Sequence, residues 1–302
     1  MLRYLGSAMA LKFFSANRHT KRAYRALGNL LGERKRKGGT HVDAYIERGN
    51  LFRELSAKHD ITKDGDNMLE IGTGWLHWHS IYHRLFYNVN ISMLDIWDCR
   101  QFGAIRPVFL DVEERIAETL HTNEAARQNI ETVVTAQSLD NLYSELGLGY
   151  HVDETGSLQQ FADESFDCVF SFHVLEHVRR KYVDQLVKEI DRVLRPGGFS
   201  LHQIGIDDHL QHYDPKMSQK NYIRYSDRMW KLLFENDVQY FNRLQTSEWT
   251  AAFGNSDLVP LESITEHCNI DLMTVNRRFS GFSKGDLSCT ALTIVHQKPG
   301  AD

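Results

Sequence analysis

Met68-Leu69-Glu70-Ile71-Gly72-Thr73-Gly74-Trp75 decides how this chain is read. Apolar residues flank Glu70 and run directly into a Gly-Thr-Gly turn, and an aromatic, apolar segment follows. The pattern predicts a buried strand, a tight turn and then a helix. Glycines suit such a turn because a side chain would keep a ligand off the backbone and because the turn calls for positive φ. Asp95 stands twenty-one residues beyond Gly74, at the end of a second apolar run through Val89, Ile91, Met93 and Leu94. A carboxylate at the tip of the second strand is placed to hold a ribose diol. The stretch therefore predicts a nucleoside-binding strand–helix–strand unit.

The kind of nucleoside follows from what the turn lacks. A dinucleotide fingerprint has a third glycine three residues after Gly74, and here that residue is His77. Glu70 just before the turn suits a cationic cofactor such as S-adenosylmethionine, whose sulfonium and ammonium a carboxylate offsets.

The flanking sequence sets bounds on these readings. The 302 residues are 42% hydrophobic and 25% charged, the composition of a globular protein. No apolar run of membrane-spanning length occurs, and the N-terminus lacks a signal peptide's apolar core. A cytoplasmic location is expected, at the inner face of a membrane if residues 1–40 touch one. Cys99, Cys168, Cys268 and Cys289 form no CxxC pair, so reduced thiols are expected and no structural zinc site. Charge is uneven: residues 1–40 carry ten Lys and Arg against Glu33, and the rest of the chain is acidic. Leu2, Leu5, Met9 and Phe13, then Tyr24, Leu27 and Leu31, recur at helical spacing among those cations. Such a segment lies on an anionic membrane, binds a polyanion, or packs one face on its own domain. Arg34-Lys35-Arg36-Lys37-Gly38-Gly39 reads as a linker.

Further elements follow by pattern. A helix is expected from His41 to His59. His79 and His83 would share a helix face, as structural histidines. Helices are expected over Val112–Gln128 and Val133–Leu146, and a short third strand near Tyr150-His151-Val152. Ser165 to Phe172 reads as strand four, and a helix follows with Val183, Leu186, Val187, Ile190, Val193 and Leu194 on one face. Arg195-Pro196-Gly197-Gly198 would stop it, before strand five over Phe199–Ile206.

Four segments in this order, EIGTG (70–74), LD (94–95), SFDCVFSFHVLEHV (165–178) and EIDRVLRPGG (189–198), resemble class I S-adenosylmethionine-dependent methyltransferases of the small-molecule, sugar and lipid branch. The resemblance spans Met68 to Ile206. It implies a doubly wound, mostly parallel seven-stranded Rossmann-like sheet in a methyltransferase domain (41–302), ahead of which the charge pattern sets a basic helical extension (1–40). Within that domain it implies a cofactor core (62–206), a helical acceptor-side insertion after strand five (207–245), and a closing helix and hairpin (246–302). The last two strands would be Leu261–Cys268 and Thr290–Gln297. By position, Glu70, Gly72, Thr73 and Gly74 would line the methionine part of the cofactor and Asp95 would hold the ribose. Ile96 would pack on adenine, Asp153 or Glu154 would meet its amine, and Ser171, Phe172 and His173 would lie near the sulfonium. The Trp- and His-rich Leu76-His77-Trp78-His79-Ser80 and the long segment before strand three depart from the family norm.

The insertion carries the acceptor chemistry. An oxygen nucleophile needs a base, and histidine titrates in the right range. His209 and His212, three apart, with Asp208 beside them, are the catalytic candidates. The competing readings are a divalent metal that orients a diol, or a hydrogen-bonded loop. No metal ligands are assigned, and His177 is expected to orient the loop. Tyr222, Arg224, Tyr225, Arg228, Trp230, Phe234, Tyr240, Phe241 and Arg243 suit a sugar or phosphorylated acceptor, or equally an aromatic core. The expected activity is O-methylation of a saccharide or lipid-linked glycan, in polysaccharide biosynthesis. The alternatives are a quinone or polyketide acceptor, or a silent cofactor-binding protein. Nucleic acid is not expected as a partner. The body is acidic, and strand four ends in Ser171-Phe172-His173-Val174 rather than the tetrapeptide of base-methylating enzymes. Oligomeric state is left open.

Overall fold

The computed structural model describes residues 2–37 and 42–300. The expected boundary at residues 40 and 41, and Gly38-Gly39, lie outside the described residues. The chain runs α1 (Leu2–Phe14), α2 (Arg18–Lys37), α3 (Val42–His59), β1 (Asn67–Ile71), α4 (Trp78–Phe86) and β2 (Asn90–Asp95). Then come α5 (Phe102–Arg115), α6 (Ala117–Thr122), α7 (Glu124–Thr135), α8 (Leu139–Leu146), β3 (Leu148–Val152) and β4 (Phe166–Phe172). The remainder is α9 (Val183–Val193), β5 (Leu194–Gly205), α10 (Asp227–Leu233), α11 (Thr246–Gly254), β6 (Val259–His267), α12 (Lys284–Ser288) and β7 (Cys289–Gln297).

The strands form one seven-stranded sheet in the order β3-β2-β1-β4-β5-β7-β6. β1 pairs in parallel with β2 and β4, β2 with β3, and β6 enters antiparallel to β7. β7 is buried along nearly its whole length, whereas edge strand β6 is largely exposed. Pro260, Glu262, Glu266 and two register shifts along β6 leave it a poor template for pairing with another chain.

Contacts divide the chain into two compact units. One comprises the residues up to Ala26, Ser171–Asp191 and Ser200–Pro299; the other comprises Leu27–Phe170, Arg192–Phe199 and the last residues. The second unit holds the β1–α4–β2 turn and helices α3 to α8. In it Phe52, Phe109 and Phe170 are fully buried. The first unit has an aromatic core of Tyr4, Tyr222, Trp230, Phe234, Phe241 and Phe279.

Several expectations are revised by packing. Arg34–Lys37 is the last turn of α2, not a linker. Arg36 donates to Gln101 at 2.8 Å and lies over Trp75, contacts that hold the turn helical. α1 buries Tyr4, Ala8 and Leu11, while Leu2, Met9 and Phe13 point outward at 88%, 72% and 65% exposure. Both stripes fit a helix, and the aromatic core selects the one carrying Tyr4. The segment before β3 folds as four helices instead of two, interrupted where Asn123 and Ser138 cap α7 and α8. β5 begins at Leu194, so Arg195–Gly198 belongs to the strand's entry, with Gly197 at φ +81°. The insertion is mainly short 3-10 turns, with α10 as its one longer helix.

Candidate functional site

The glycine turn is built as its sequence requires. Gly72 and Gly74 have φ of +74° and +68°, where a side chain is strained. A Cβ placed at Gly74 would meet no heavy atom within 4 Å, so the turn has an open face. Gly74 N–H donates to Asp95 Oδ2 at 2.9 Å, and Ile96 N–H donates to Oδ1 at 3.1 Å. Asp95 is thereby locked to the turn while each oxygen keeps a lone pair to accept from a diol. Ile96 beside it is 46% exposed. An open glycine cradle, a fixed carboxylate and an exposed apolar neighbour fit a nucleoside cofactor.

Beneath the turn, His77 takes the place of a third glycine. It adopts φ +48° at the start of α4, and its ring is wedged between Thr73 Oγ1 at 3.1 Å and Tyr143 Oη at 2.8 Å. Burial pushes its pKa down to about 3, so the ring is neutral. The unusual segment before β3 supplies Tyr143 and thus supports the turn. Thr73 therefore contributes backbone to the open face, its hydroxyl being turned inward.

Glu70 is 1% exposed and its carboxylate takes a hydrogen bond from Ser80 below the turn, so it does not face an open surface. Burial raises its pKa to about 7. Asp153 is at the surface, folded onto Thr155 N–H at 2.8 Å and Thr155 Oγ1 at 2.5 Å, and Glu154 is exposed. His79 and His83 are both buried; His83 stacks between Phe52 and Tyr87 and meets Thr62 Oγ1 at 3.1 Å.

In the other unit, the end of β4 and the loop after β5 assemble a polar cluster. Ser171 is fully buried against His202 Nδ1 at 2.7 Å and Phe172 is 8% exposed, so of the three residues expected near the sulfonium only His173 is partly open. His173 has φ +55°. A non-glycine residue held there costs on the order of 1–3 kcal/mol and is commonly found at functional sites. Asp208 departs from its expected role. It is fully buried, accepts from Tyr4 Oη at 2.7 Å and Leu210 N–H at 3.0 Å, and burial raises its pKa to about 7. Its neighbour Asp207 faces the histidines instead, with Oδ2 2.9 Å from His212 Nε2 and Oδ1 3.8 Å from His209 Nε2. Burial works to raise the Asp207 pKa, but the hydrogen bond to His212 outweighs it and the pKa is lowered. The same hydrogen bond raises the pKa of His212, whose side chain is 61% exposed. His209 is pushed down to about 4 by burial and stays neutral. His177 donates from Nδ1 to the Tyr240 carbonyl at 2.6 Å, an anchoring contact.

Sequence reasoning missed Asp207 and Glu176. An acid next to a histidine pair was visible, but which of two adjacent aspartates faces them depends on Tyr4, more than two hundred residues away. The aromatic residues weighed as a sugar platform are settled for four positions: Tyr222, Trp230, Phe234 and Phe241 are core.

A family profile described as a methyltransferase domain matches residues 108–201. Among solved structures, a protein assigned as a sarcosine dimethylglycine methyltransferase from Galdieria sulphuraria aligns over 84% of this chain and 86% of its own, with a TM-score of 0.52 at 12% identity. A methyltransferase from Methanosarcina mazei aligns over 81% and 98% with a TM-score of 0.46 at 18% identity. Phosphoethanolamine N-methyltransferase 2 from Haemonchus contortus, in complex with S-adenosylmethionine, aligns over 83% of this chain and 52% of its own, at a TM-score of 0.45 and 15% identity. This chain thus spans about half of that enzyme's length. No curated protein sequence matches. At these identities the structural likeness speaks to the fold, which is the Rossmann-like methyltransferase fold.

Proposed function

We propose that this chain, a methyltransferase with S-adenosylmethionine as its cofactor, methylates a hydroxyl oxygen of a saccharide or lipid-linked glycan. The cofactor supplies an electrophilic methyl group on a sulfonium. The glycine turn and Asp95 bind its nucleoside.

The observation that carries oxygen as the nucleophile is the Asp207–His212 pair. Asp207 holds His212 Nε2–H, which leaves Nδ1 as a proton acceptor on an exposed ring. With its pKa raised, that ring would take the proton of an acceptor hydroxyl to which the bound cofactor would supply its methyl group. An amine acceptor already neutral at its working pH would need no such pair.

A lipid-linked acceptor is supported by α1 and α2. Leu2, Met9, Phe13, Leu30 and Leu31 are exposed on helices rich in Lys and Arg, an arrangement suited to an anionic membrane surface. No helix among the described residues is long and apolar enough to cross a membrane. The exposed apolar residues equally suit a quinone or polyketide acceptor.

The test is methyl transfer from labelled S-adenosylmethionine to a panel of saccharides, lipid-linked glycans, quinones, polyketides and amines. O-methylated saccharide product is expected, with kcat down by about 10²–10⁴ in His212→Gln. Transfer only to amines would overturn the reading. Cofactor binding with no product on any acceptor would favour the silent binding protein.

A further inference from the structure

Glu176 is 2% exposed, and neither of its carboxylate oxygens has a hydrogen-bond partner among the described residues. Burying a carboxylate unpaired costs several kcal/mol, so a buried one normally has partners or a cation. Its position is imposed by the backbone around it. Asn242 N–H donates to the Glu176 carbonyl at 2.8 Å, and Asn242 Nδ2 donates to the Leu175 and Val178 carbonyls at 3.1 Å each. The short turn is clamped, and the carboxylate is left aimed at histidines. His173 Nδ1 lies 3.6 Å from Glu176 Oε1.

One donor atom from each of Glu176, His177 and His209 lies within 4.8 Å of the other two. Donors about 2.0–2.2 Å from a common tetrahedral ion stand roughly 3.3–3.6 Å apart, so the three groups would draw together by about 1 Å, within reach of side-chain rotation, to close the site. The histidines are prepared for it. Nδ1–H of His177 is committed to the Tyr240 carbonyl, which fixes the tautomer and leaves Nε2 with a free lone pair. His209 is half-buried and backed by Phe241 at a ring separation of 4.7 Å. Asp207 Oδ1 lies 3.8 Å from His209 Nε2, an acid near the site.

We infer that Glu176, His177 and His209 form a binding site for a borderline first-row divalent cation of the zinc, cobalt or iron class. Two imidazoles and one carboxylate favour such ions over magnesium or calcium, which prefer all-oxygen shells. His173 or water would complete the coordination. On the acceptor reading above, an acceptor hydroxyl entering an open position would lose its proton to His212 more readily. The site itself stands on geometry that involves neither cofactor nor acceptor.

The experiment is calorimetric titration of the EDTA-treated, dialysed full chain with zinc chloride, repeated with cobalt chloride as an optical probe and with magnesium and calcium chloride. One equivalent of zinc is expected, with the d–d absorption of histidine-bound cobalt and no heat from magnesium or calcium. Affinity should fall at least about tenfold in His177→Ala and in Glu176→Gln. It should be unchanged in His121→Ala, an exposed histidine on α6. His177 is itself exposed, so its replacement tests the site even if Glu176→Gln fails to fold. Absence of zinc binding to the native chain would overturn the inference, as would equal binding by native protein and His177→Ala, which would mark adventitious surface histidines only. Because the readout is binding, failure of the acceptor reading leaves it untouched, and its own failure leaves methyl transfer standing.

Discussion

Tyr4 Oη donates a 2.7 Å hydrogen bond to Asp208 Oδ2, joining the first turns of α1 to the loop that follows β5. Both residues are fully buried in the same unit, and Tyr4 also meets Phe234 edge-on at 5.4 Å. Through this bond the N-terminal helix sets which aspartate of the Asp207-Asp208 pair is left for the histidines.

Tyr4→Phe should therefore do more than remove one hydrogen bond. Asp208 would keep only the Leu210 N–H and be left underpaired, at a cost of about 1–3 kcal/mol. Urea denaturation measures the loss. Unchanged stability would mean that α1 is not docked through this contact.

Asp95→Ala should weaken cofactor binding with little effect on the fold. A carboxylate hydrogen-bonded to a diol contributes about 1.5–3 kcal/mol, so S-adenosylhomocysteine affinity should drop roughly 10- to 100-fold in calorimetry. Asp98→Ala, whose carboxylate pairs with Arg100 at 2.7 Å near the surface, serves as control and should bind normally. Retained affinity in Asp95→Ala would place the nucleoside elsewhere.

Stability should fall on acidification. Burial pushes His77, His83 and His202 down to about 3 and His209 and His296 down to about 4. The unfolded chain protonates these rings near pH 6.5, so their contribution is complete above 6.5 and is lost as pH falls from there. Glu70 and Asp208 act oppositely. Burial raises both to about 7, so their contribution is present below about pH 4 and is lost as pH rises toward 7. Five histidines outweigh two carboxylates. The melting temperature should be lower at pH 5.5 than at 7.5, and His83→Phe should flatten the difference. A maximum near pH 5 would contradict this balance.

Lys220 is the buried cation of the first unit. Its ammonium donates to the carbonyls of Ile206 at 3.0 Å and Cys289 at 2.8 Å, just past β5 and at the start of β7, and contacts Tyr222 Oη at 2.7 Å. Burial pushes its pKa down to about 7. Lys220→Met would strip buried carbonyls of their donor and should cost about 2–4 kcal/mol by chemical denaturation. Lys216→Met, at an exposed position, should be close to neutral. Equal effects would mean that the ammonium's bonds only offset its desolvation.

The sheet and the glycine turn were legible because their information is local. Alternation and apolar runs marked β1, β2 and β4 to within a residue or two, Gly72 and Gly74 marked the reversal, and Asp95 followed at the expected spacing. Capping at Asn123 and Ser138 was also written in the sequence, yet the apolar pattern ran across it and suggested two helices where four form.

Side-chain direction was decided elsewhere. The α1 sequence offers two apolar stripes, and only the aromatic core of the first unit selects Tyr4, Ala8 and Leu11 over Leu2, Met9 and Phe13. Glu70 turns to Ser80 because the space beneath the turn is closed, and His77 accepts a left-handed backbone because Tyr143 and Thr73 hold its ring. The cluster of Glu176, His177 and His209 joins the end of β4 to the loop after β5, segments about thirty residues apart in sequence. By itself, then, the sequence determined the order of the strands and the position of the glycine turn, through periodicity over neighbouring residues. The tertiary structure decided which carboxylates and imidazoles meet and which are sealed away. Partners across tens to hundreds of residues set each group's burial, and burial sets its charge.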